Sequence, residues 1–456
     1  MGEGSRLVRA RTVTGDGEGL VSRAGLVLLA ELAEAVGLAE GLRQATRALG
    51  WRRHHPGRLL GLTVLALADG ARNVSDVHAV VGQEHLFGPG PSWASAWRAF
   101  DRLGPAELRA INRAEATARQ RVWHADPAAR QRSAMIIDLD ATLVTTRADK
   151  QDAAPTWKRS YGHHPLLAMD AERGEVLAVL MRPGNAGSNT ATDHVTVLGD
   201  AVAGLPERER SGHLPGDNAT DVQVSVCVRA DAGGTTHWLA EECRHRNIGY
   251  SLGYAIDGRV RDALLLVQEE DWEPAVEPNG ARRDNGYVYD LTALVNLSAW
   301  PKGTRLIVRR ERPHPGAQLS LFDDVNGWRH TAFICDTTGD PATLEARHRQ
   351  RGRAEGVIRD LKACGLANLP FDCIVNNSIW ARLAAMALNL LSWTRHLTLT
   401  GSLRRATPKT LRYRLLHIAG RTTTGGRKLH LDRDWPWTPT LLAALDRIPP
   451  TVNPTT

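Results

Sequence analysis

Apolar residues recur at helical spacing through the first 130 positions, and then the period changes. Ser22 can cap a helix running to Arg47, with Leu26, Leu29, Leu32, Val36 and Leu38 along one face. A second apolar helix is expected over Arg58–Ala71 and a third from about Val74, before Gly88-Pro-Gly-Pro91 turns the chain. Ser92 caps a helix over Trp93–Arg102, and Pro105 opens another that reaches about Val122. Short helices joined by Gly/Pro turns, with Arg98 and Arg102 on one of them, permit a helix-turn-helix reader of DNA. A plain helical bundle fits the same pattern.

Beyond Arg132 the spacing becomes that of strands. Ala134–Val144 reads as a buried strand, and Pro165–Asp170 with Glu175–Met181 as a hairpin across Ala171-Glu-Arg-Gly174. A helix over Asp193–Val202, a strand over Val222–Arg229, a helix over Thr236–Arg246 and a strand over Ile248–Ile256 follow. That order is compatible with an RNase H-like α/β domain. Between Asp271 and Asp336 the chain turns β-rich (Tyr287–Val295, Thr304–Val308, His330–Cys335). Helix resumes at Pro341, continues through His348–Lys362, and is followed by a strongly apolar helix over Val375–His396. The expected architecture is an RNase H-like core (131–270 and 341–400) interrupted by a β-rich insertion (271–340). It is flanked by a helical DNA-binding region (1–130) and a basic, mainly helical C-terminal region (401–456).

Charge changes this picture in one place. The chain of 456 residues carries a net charge of +7, which leans towards a polyanionic partner, although Arg-rich composition has other origins. From Ser402 to His430 there are eight Lys or Arg, including Arg404, Arg405, Arg412 and Arg427, and no Asp or Glu. Such a surface most often meets nucleic acid. Five cysteines, none in a C-x-x-C pair, indicate neither a disulfide framework nor a zinc knuckle. The first residues lack a signal-peptide core and no 18-residue apolar run occurs, so a cytoplasmic, nucleoid-associated protein is expected.

Two groups of residues carry chemistry. On a continuous helix, His348, Arg351, Glu355 and Lys362 would fall at roughly 0°, −60°, −20° and −40°, one narrow polar stripe. On that helix Val357 and Leu361 point away and Ile358 sits at the edge. A carboxylate between two cations can bind a divalent metal beside a phosphate; charges on a surface helix give the same pattern. Upstream, Asp138 and Asp140 lie two apart on a strand and share a face, and Asp231 ends another strand beside Ala-Gly-Gly. With Glu355 they make a hard-oxygen set suited to Mg²⁺ or Mn²⁺. Two such ions about 3.5–4 Å apart activate a water or 3′-OH and stabilise a departing oxygen.

These residues resemble those of DDE transposases of bacterial insertion sequences, and most of all the insertion-sequence family numbered thirteen-eighty. The resemblance is carried by Ile136-Ile-Asp-Leu-Asp-Ala-Thr142, Tyr161-Gly-His-His-Pro-Leu166, Ser188-Asn-Thr-Ala-Thr-Asp-His194 and Val228-Arg-Ala-Asp-Ala-Gly233. It continues in Arg351-Gly-Arg-Ala-Glu-Gly-Val-Ile-Arg-Asp-Leu-Lys362 and from Asn376 to Asn389-Leu-Leu-Ser-Trp393. It implies an RNase H-like core that cuts and joins DNA at transposon ends, with Asp140, Asp231 and Glu355 binding two Mg²⁺ or Mn²⁺ ions. Asp138 is implied as a further ligand or hydrogen-bond partner. The family's Tyr-Arg-Glu-Lys signature falls on His348, Arg351, Glu355 and Lys362, with His348 in place of the tyrosine. Arg351 and Lys362 are implied to contact phosphates, and terminal inverted repeats, target DNA and a homodimeric synaptic complex are the implied partners. Among Trp272, Trp300 and Trp328 one is implied to stack on a flipped base, though core or turn packing is the more common use of each. His163, His164, Asp193 and His194 are candidates for DNA contact, capping or orientation of a carboxylate.

Two other readings compete. Asp138-Leu-Asp-Ala-Thr-Leu143 also resembles the first motif of haloacid-dehalogenase-type phosphatases, where the first aspartate is the nucleophile. Gly216-Asp-Asn-Ala-Thr-Asp221 mimics a later acidic motif of that family, but Arg210-Ser-Gly-His-Leu-Pro215 before it is no apolar strand. The second is a DNA-binding regulator derived from a transposase and lacking catalysis.

Overall fold

The computed structural model describes residues 16–450 apart from 52, 189, 314–323, 326 and 424–427. The first helix expected from Ser22 is two: α1 (Leu26–Ala35) and α2 (Leu38–Ala45), parted by Gly37 at φ 75°. A left-handed residue ends a helix, and a Cβ there would also strike the Arg121 guanidinium. The apolar face holds across the break, since Leu26, Leu29, Leu32, Val36 and Leu38 are all buried. Helix α3 spans Pro56–Asp69. The helix expected near Val74 contracts to the single turn His78–Val81. Helix α4 (Trp93–Phe100) starts where Ser92 accepts a hydrogen bond from the Ser95 amide, and α5 covers Pro105–Ala125.

The strands follow in chain order: β1 (Ala134–Ala141), β2 (Leu166–Asp170) and β3 (Glu175–Leu180), then helix α6 (Ala191–Ala203). Strand β4 (Ser225–Ala230), helix α7 (His237–His245) and strand β5 (Gly249–Tyr254) continue the pattern. Four more strands come next, β6 (Glu273–Val276), β7 (Arg282–Asp290), β8 (Arg305–Glu311) and β9 (Trp328–Cys335). All nine lie in one sheet, in the order β6-β7-β8-β9-β5-β4-β1-β2-β3. Strands β1, β4 and β5 run parallel and the other pairings are antiparallel. The β-rich segment therefore does not form a separate sheet. It extends the main one, because β9 pairs with the free edge of β5.

Helix α8 (Pro341–Arg349) packs across β6, β7 and β8. The long helix expected through Lys362 breaks after it, at a 3₁₀ turn over Gln350–Gly352, and resumes as α9 (Arg353–Leu361). A wide π turn over Lys362–Leu366, with Gly365 at φ 110°, ends α9. The break rotates the helix, so that Ala354, Ile358 and Leu361 are buried while Val357 is only half-buried. Helix α10 (Ile374–Leu397) packs on β3, α3 and α5, and α11 (Thr438–Asp446) lies against α1. Residues 20–21 pair with 420–421, tying the two ends of the chain together. Among the described residues no helix is long and apolar enough to cross a membrane.

Strand β3 is the outer strand of the sheet, yet it is buried beneath α5 and α10. Asn389 of α10 substitutes for a missing strand: its Oδ1 accepts from the Val176 amide at 2.7 Å and its Nδ2 donates to the Val176 carbonyl at 2.8 Å. Arg119 and Arg382 donate to the carbonyls of Val176 and Leu177. Beside them Glu175, wholly buried, accepts from the indoles of Trp123 and Trp393 and from Arg173, and pairs with Arg119 at 3.4 Å. Burial alone would raise the pKa of Glu175, but the guanidiniums of Arg173 and Arg119 bring it down to about 2. A carboxylate depressed by folding adds stability above its unfolded pKa and loses it as pH falls. We therefore expect Glu175→Gln to lower stability in urea unfolding by about 3–5 kcal/mol, because Arg119 and Arg173 are left buried without it. The variant should also lose part of the stability gained between pH 2 and 4.5. An unchanged acid limb would show that Glu175 is not charged in the folded chain.

Candidate active site

Strand register brings the first two carboxylates together. In the parallel pair β1·β4, Asp138 is level with Arg229. Two residues further on, Asp140 stays on the face of Asp138, and Asp231 follows one step past the end of β4, near enough for its charge to bear on Asp140. The carboxyl ends of adjoining parallel strands are where open α/β sheets bind ligands. Asp231 is exposed, and its Oδ1 accepts from the Gly234 amide at 2.9 Å. Asp140 is half-buried: Oδ1 accepts from the Ala141 amide and Oδ2 from Arg351 at 3.2 Å. Desolvation raises the pKa of Asp140, Arg351 opposes that, and the charge of Asp231 raises it further.

Glu355 sits on α9, between two tethers to the end of β1. Arg351, in the 3₁₀ turn, holds Asp140, and the Lys362 ammonium donates to the Leu143 carbonyl at 3.0 Å. Of the expected stripe only Glu355 lies within α9; Arg351 precedes it in the 3₁₀ turn and Lys362 opens the π turn that follows, and both reach towards the end of β1. Glu355 itself is exposed and, among the described residues, makes no hydrogen bond or ion pair. Among the described residues no three Asp, Glu, His or Cys side chains stand close enough together to hold a metal ion. The pair Asp140 and Asp231 fits a divalent cation nonetheless: both are hard oxygen donors, they repel each other, and a single guanidinium offsets them.

Asp138 has a different use. Both its oxygens accept from Arg229, at 2.7 and 2.8 Å, and it is 1% exposed. Desolvation raises its pKa against the pull of Arg229. As a metal ligand or nucleophile Asp138 would first have to give up this buried pair, which corrects the expectation of a further ligand and removes the phosphatase reading. Arg229 also donates to the Arg347 carbonyl at the end of α8, so the pair fixes the turn that carries Arg351. Sequence reading missed Arg229. The signal was its phase, two residues before Asp231 as Asp138 is two before Asp140.

His348 departs from the expected stripe. It lies on α8, ahead of the 3₁₀ turn, and its ring stacks on Phe333 (centroids 4.3 Å apart, planes 5°) while Nδ1 meets the Ser251 hydroxyl at 2.8 Å. Desolvation, with Arg229 and Arg351 nearby, drops its pKa to about 3. A neutral, packed imidazole replaces the expected DNA contact. His194 lies against Gly234, where a Cβ would come within 2.8 Å of its Nε2. Burial lowers the pKa of both His164 and His194, and Asp231 acts on each in the opposite sense. His163 is buried on the Gln151 carbonyl, and Asp193 pairs with Arg182.

The expected DNA contacts divide. Arg98, Arg404 and Arg405 are exposed. Arg412 is not a surface contact: it donates to the carbonyls of Ala68 and Ala363, bracing the C-terminal region against α3 and the π turn. Arg427 lies outside the described residues. Trp272 packs against Tyr289, His330 and Arg310, and Trp328 lies between Arg310 and Arg312. Trp300 covers His237, with ring centroids 3.9 Å apart.

A family model described as Transposase DDE domain group 1 matches residues 5–453. No curated protein matches the sequence. Among solved structures, the chain is similar to one described as the cryo-EM structure of piggyBac transposase synaptic complex with hairpin DNA. The identity is 11% and the TM-score 0.43, over 96% of this chain and 87% of that one.

The two aspartates of β1 should respond oppositely to neutralisation. Asp138→Asn leaves Arg229 buried and unpaired and should cost about 3–5 kcal/mol in urea unfolding. Asp140→Asn relieves repulsion from Asp231 while losing a partly exposed pair with Arg351, so its metal-free stability should change by less than about 1 kcal/mol. Equal costs would contradict the separate roles assigned to them.

Proposed function

The chain belongs to the Transposase DDE domain group 1 family across nearly its whole length, and on that premise we propose a metal-dependent enzyme that cuts and rejoins DNA at the ends of an insertion sequence. One feature supports the reading above the rest: Asp140 lies near the end of β1 and Asp231 just past the end of the parallel neighbour β4, each bearing on the other's charge, while Arg351 and Lys362 tie the segment that carries Glu355 to Asp140 and to the Leu143 carbonyl. The order β3-β2-β1-β4-β5 supports an RNase H-like core. The motif resemblance favours the insertion-sequence family numbered thirteen-eighty.

In the proposed site Asp140, Asp231 and Glu355 would hold Mg²⁺ or Mn²⁺, which when bound supplies an activated water or 3′-OH and stabilisation of the departing oxygen. The chain's own groups position the reaction. Arg351 offsets the charge of Asp140 until a cation and a phosphodiester arrive, and Lys362 presents a second positive charge by the end of β1. Asp138 and Arg229 keep the turn that carries Arg351 in place through the Arg347 carbonyl. Hydrolysis at each end frees a 3′-OH, and direct attack of that hydroxyl on target DNA joins the strands without a covalent protein intermediate. Two copies pairing two ends would complete the cut-and-paste reaction.

Glu355→Gln should abolish Mg²⁺- or Mn²⁺-dependent nicking of DNA bearing the element's ends and leave end binding intact by gel shift. Cleavage retained in that variant removes Glu355 from the mechanism, and a wild-type chain that binds ends but never nicks them is the regulator instead. Because desolvation and Asp231 raise the pKa of Asp140, protons should compete with the metal at higher pH than for an ordinary aspartate. Mn²⁺ affinity by calorimetry should therefore weaken on the acid side, and Asp140→Asn should remove much of the binding itself.

A further inference from the structure

Helix α9 presents a second polar face. Arg353, Gly356, Val357 and Asp360 recur at i, i+3, i+4 and i+7 and line a cleft of about 880 Å³. This stripe lies roughly 150° around the helix from Glu355. The other wall comes from the end of α10 and the 3₁₀ turn after it, with Arg395, Gly401, Ser402, Arg404 and Arg405. The floor includes Gly174.

Charge in this cleft is unbalanced. Arg353, Arg404 and Arg405 are exposed, and among the described residues none of them has a hydrogen-bond or ion-pair partner. Among the described residues Arg359 pairs with Asp360, at 3.5 Å. Arg395 is desolvated between the walls: Nη1 donates to the Ala406 carbonyl, while its buried Nε has no partner. Glu172 and Asp360 are the carboxylates that line the cleft against these five guanidiniums. Buried guanidinium nitrogen without an acceptor is costly. A phosphate supplies acceptor oxygens that match guanidinium geometry.

We infer that this cleft is a second DNA-backbone site, holding duplex phosphates on the side of α9 away from the carboxylates. It rests on the transposase reading and adds to it: the duplex gripped here is not the strand being cut. Helix α9 thus stands between two stretches of DNA, with Glu355 facing one and Arg353 facing the other. Small residues at Gly174, Gly356 and Gly401 leave room for a backbone to approach.

The test uses the full chain and a fluorescein-labelled duplex without element ends, titrated by anisotropy from low to moderate salt. Arg404→Ala with Arg405→Ala should reduce the slope of log affinity against log salt by about two, near 0.9 per lost phosphate contact. Arg404→Lys with Arg405→Lys should keep the slope near wild type. Matching melting curves would establish that all variants fold, and Arg353→Ala, on the opposite wall, serves as a second variant expected to lower the slope by about one. Slopes unchanged in both alanine variants overturn the proposal. Binding to duplex unchanged while binding to single-stranded RNA falls would overturn it as well. The underlying reading fails separately, if the wild-type chain shows no metal-dependent nicking of end DNA.

Discussion

A sheet edge that is buried must find partners for its backbone, since an unmet amide or carbonyl away from water costs about as much as a lost hydrogen bond. Strand β3 is such an edge, and Asn389, Arg119 and Arg382 meet its free groups one by one. The cations brought in for this purpose require anions of their own, which Glu115 and Glu175 supply. Indoles of Trp123 and Trp393 complete the carboxylate's bonding. The result couples α5, β3 and α10 in geometry, not merely by apolar contact. Apolar burial would tolerate a slide of α10 along the sheet, and a side-chain amide bonded to both groups of one residue does not.

That coupling matters for the site because the carboxylates belong to the same sheet, on β1 and just past β4, with β2 between β1 and the β3 edge. Strand β1 is held between β2 and β4, so its register against β4 sets how Asp140 meets Asp231. The buried pair of Asp138 and Arg229 acts at this seam, one pleat below the open carboxylates. It uses the same chemistry as the β3 edge, a bidentate guanidinium satisfied at low exposure, and extends the order to the end of α8. The two like charges above it remain poorly compensated. Such a local conflict is common where a site must bind a cation, and stability given up there has to come from elsewhere in the fold.

Membership in a transposase family gives this arrangement its meaning, and the geometry adds what family membership does not. Arg351 and Lys362 are already engaged with the end of β1, so the helix carrying Glu355 is docked before any nucleic acid binds. The reverse face of that helix carries guanidiniums with no such engagement. One element therefore divides the surface into a carboxylate side and a phosphate side.

Much of this was legible in the sequence, for a plain reason: period, caps and turn residues are local. The hairpin at Ala171–Gly174, the cap at Ser92 and the phase of Asp138 with Asp140 depend on a few neighbours in the chain. Two local signals were read too smoothly. Gly37 ended a helix that hydrophobic spacing alone would continue, and the 3₁₀ turn at Gln350–Gly352 parted His348 from the helix of Glu355. What the sequence could not determine is which cations are spent. Arg412, Arg404 and Arg405 lie in one basic run, yet Arg412 braces two backbones while its neighbours stay free. Likewise Asp138 and Asp140 differ only by one pleat, yet in the fold Asp138 is buried against Arg229 of the neighbouring strand while Asp140 stays half-exposed, paired with Arg351 and bearing on Asp231. Charge is written in the chain, but its partner is chosen by distance in the folded state, because electrostatic and hydrogen-bond energies fall away within a few ångströms.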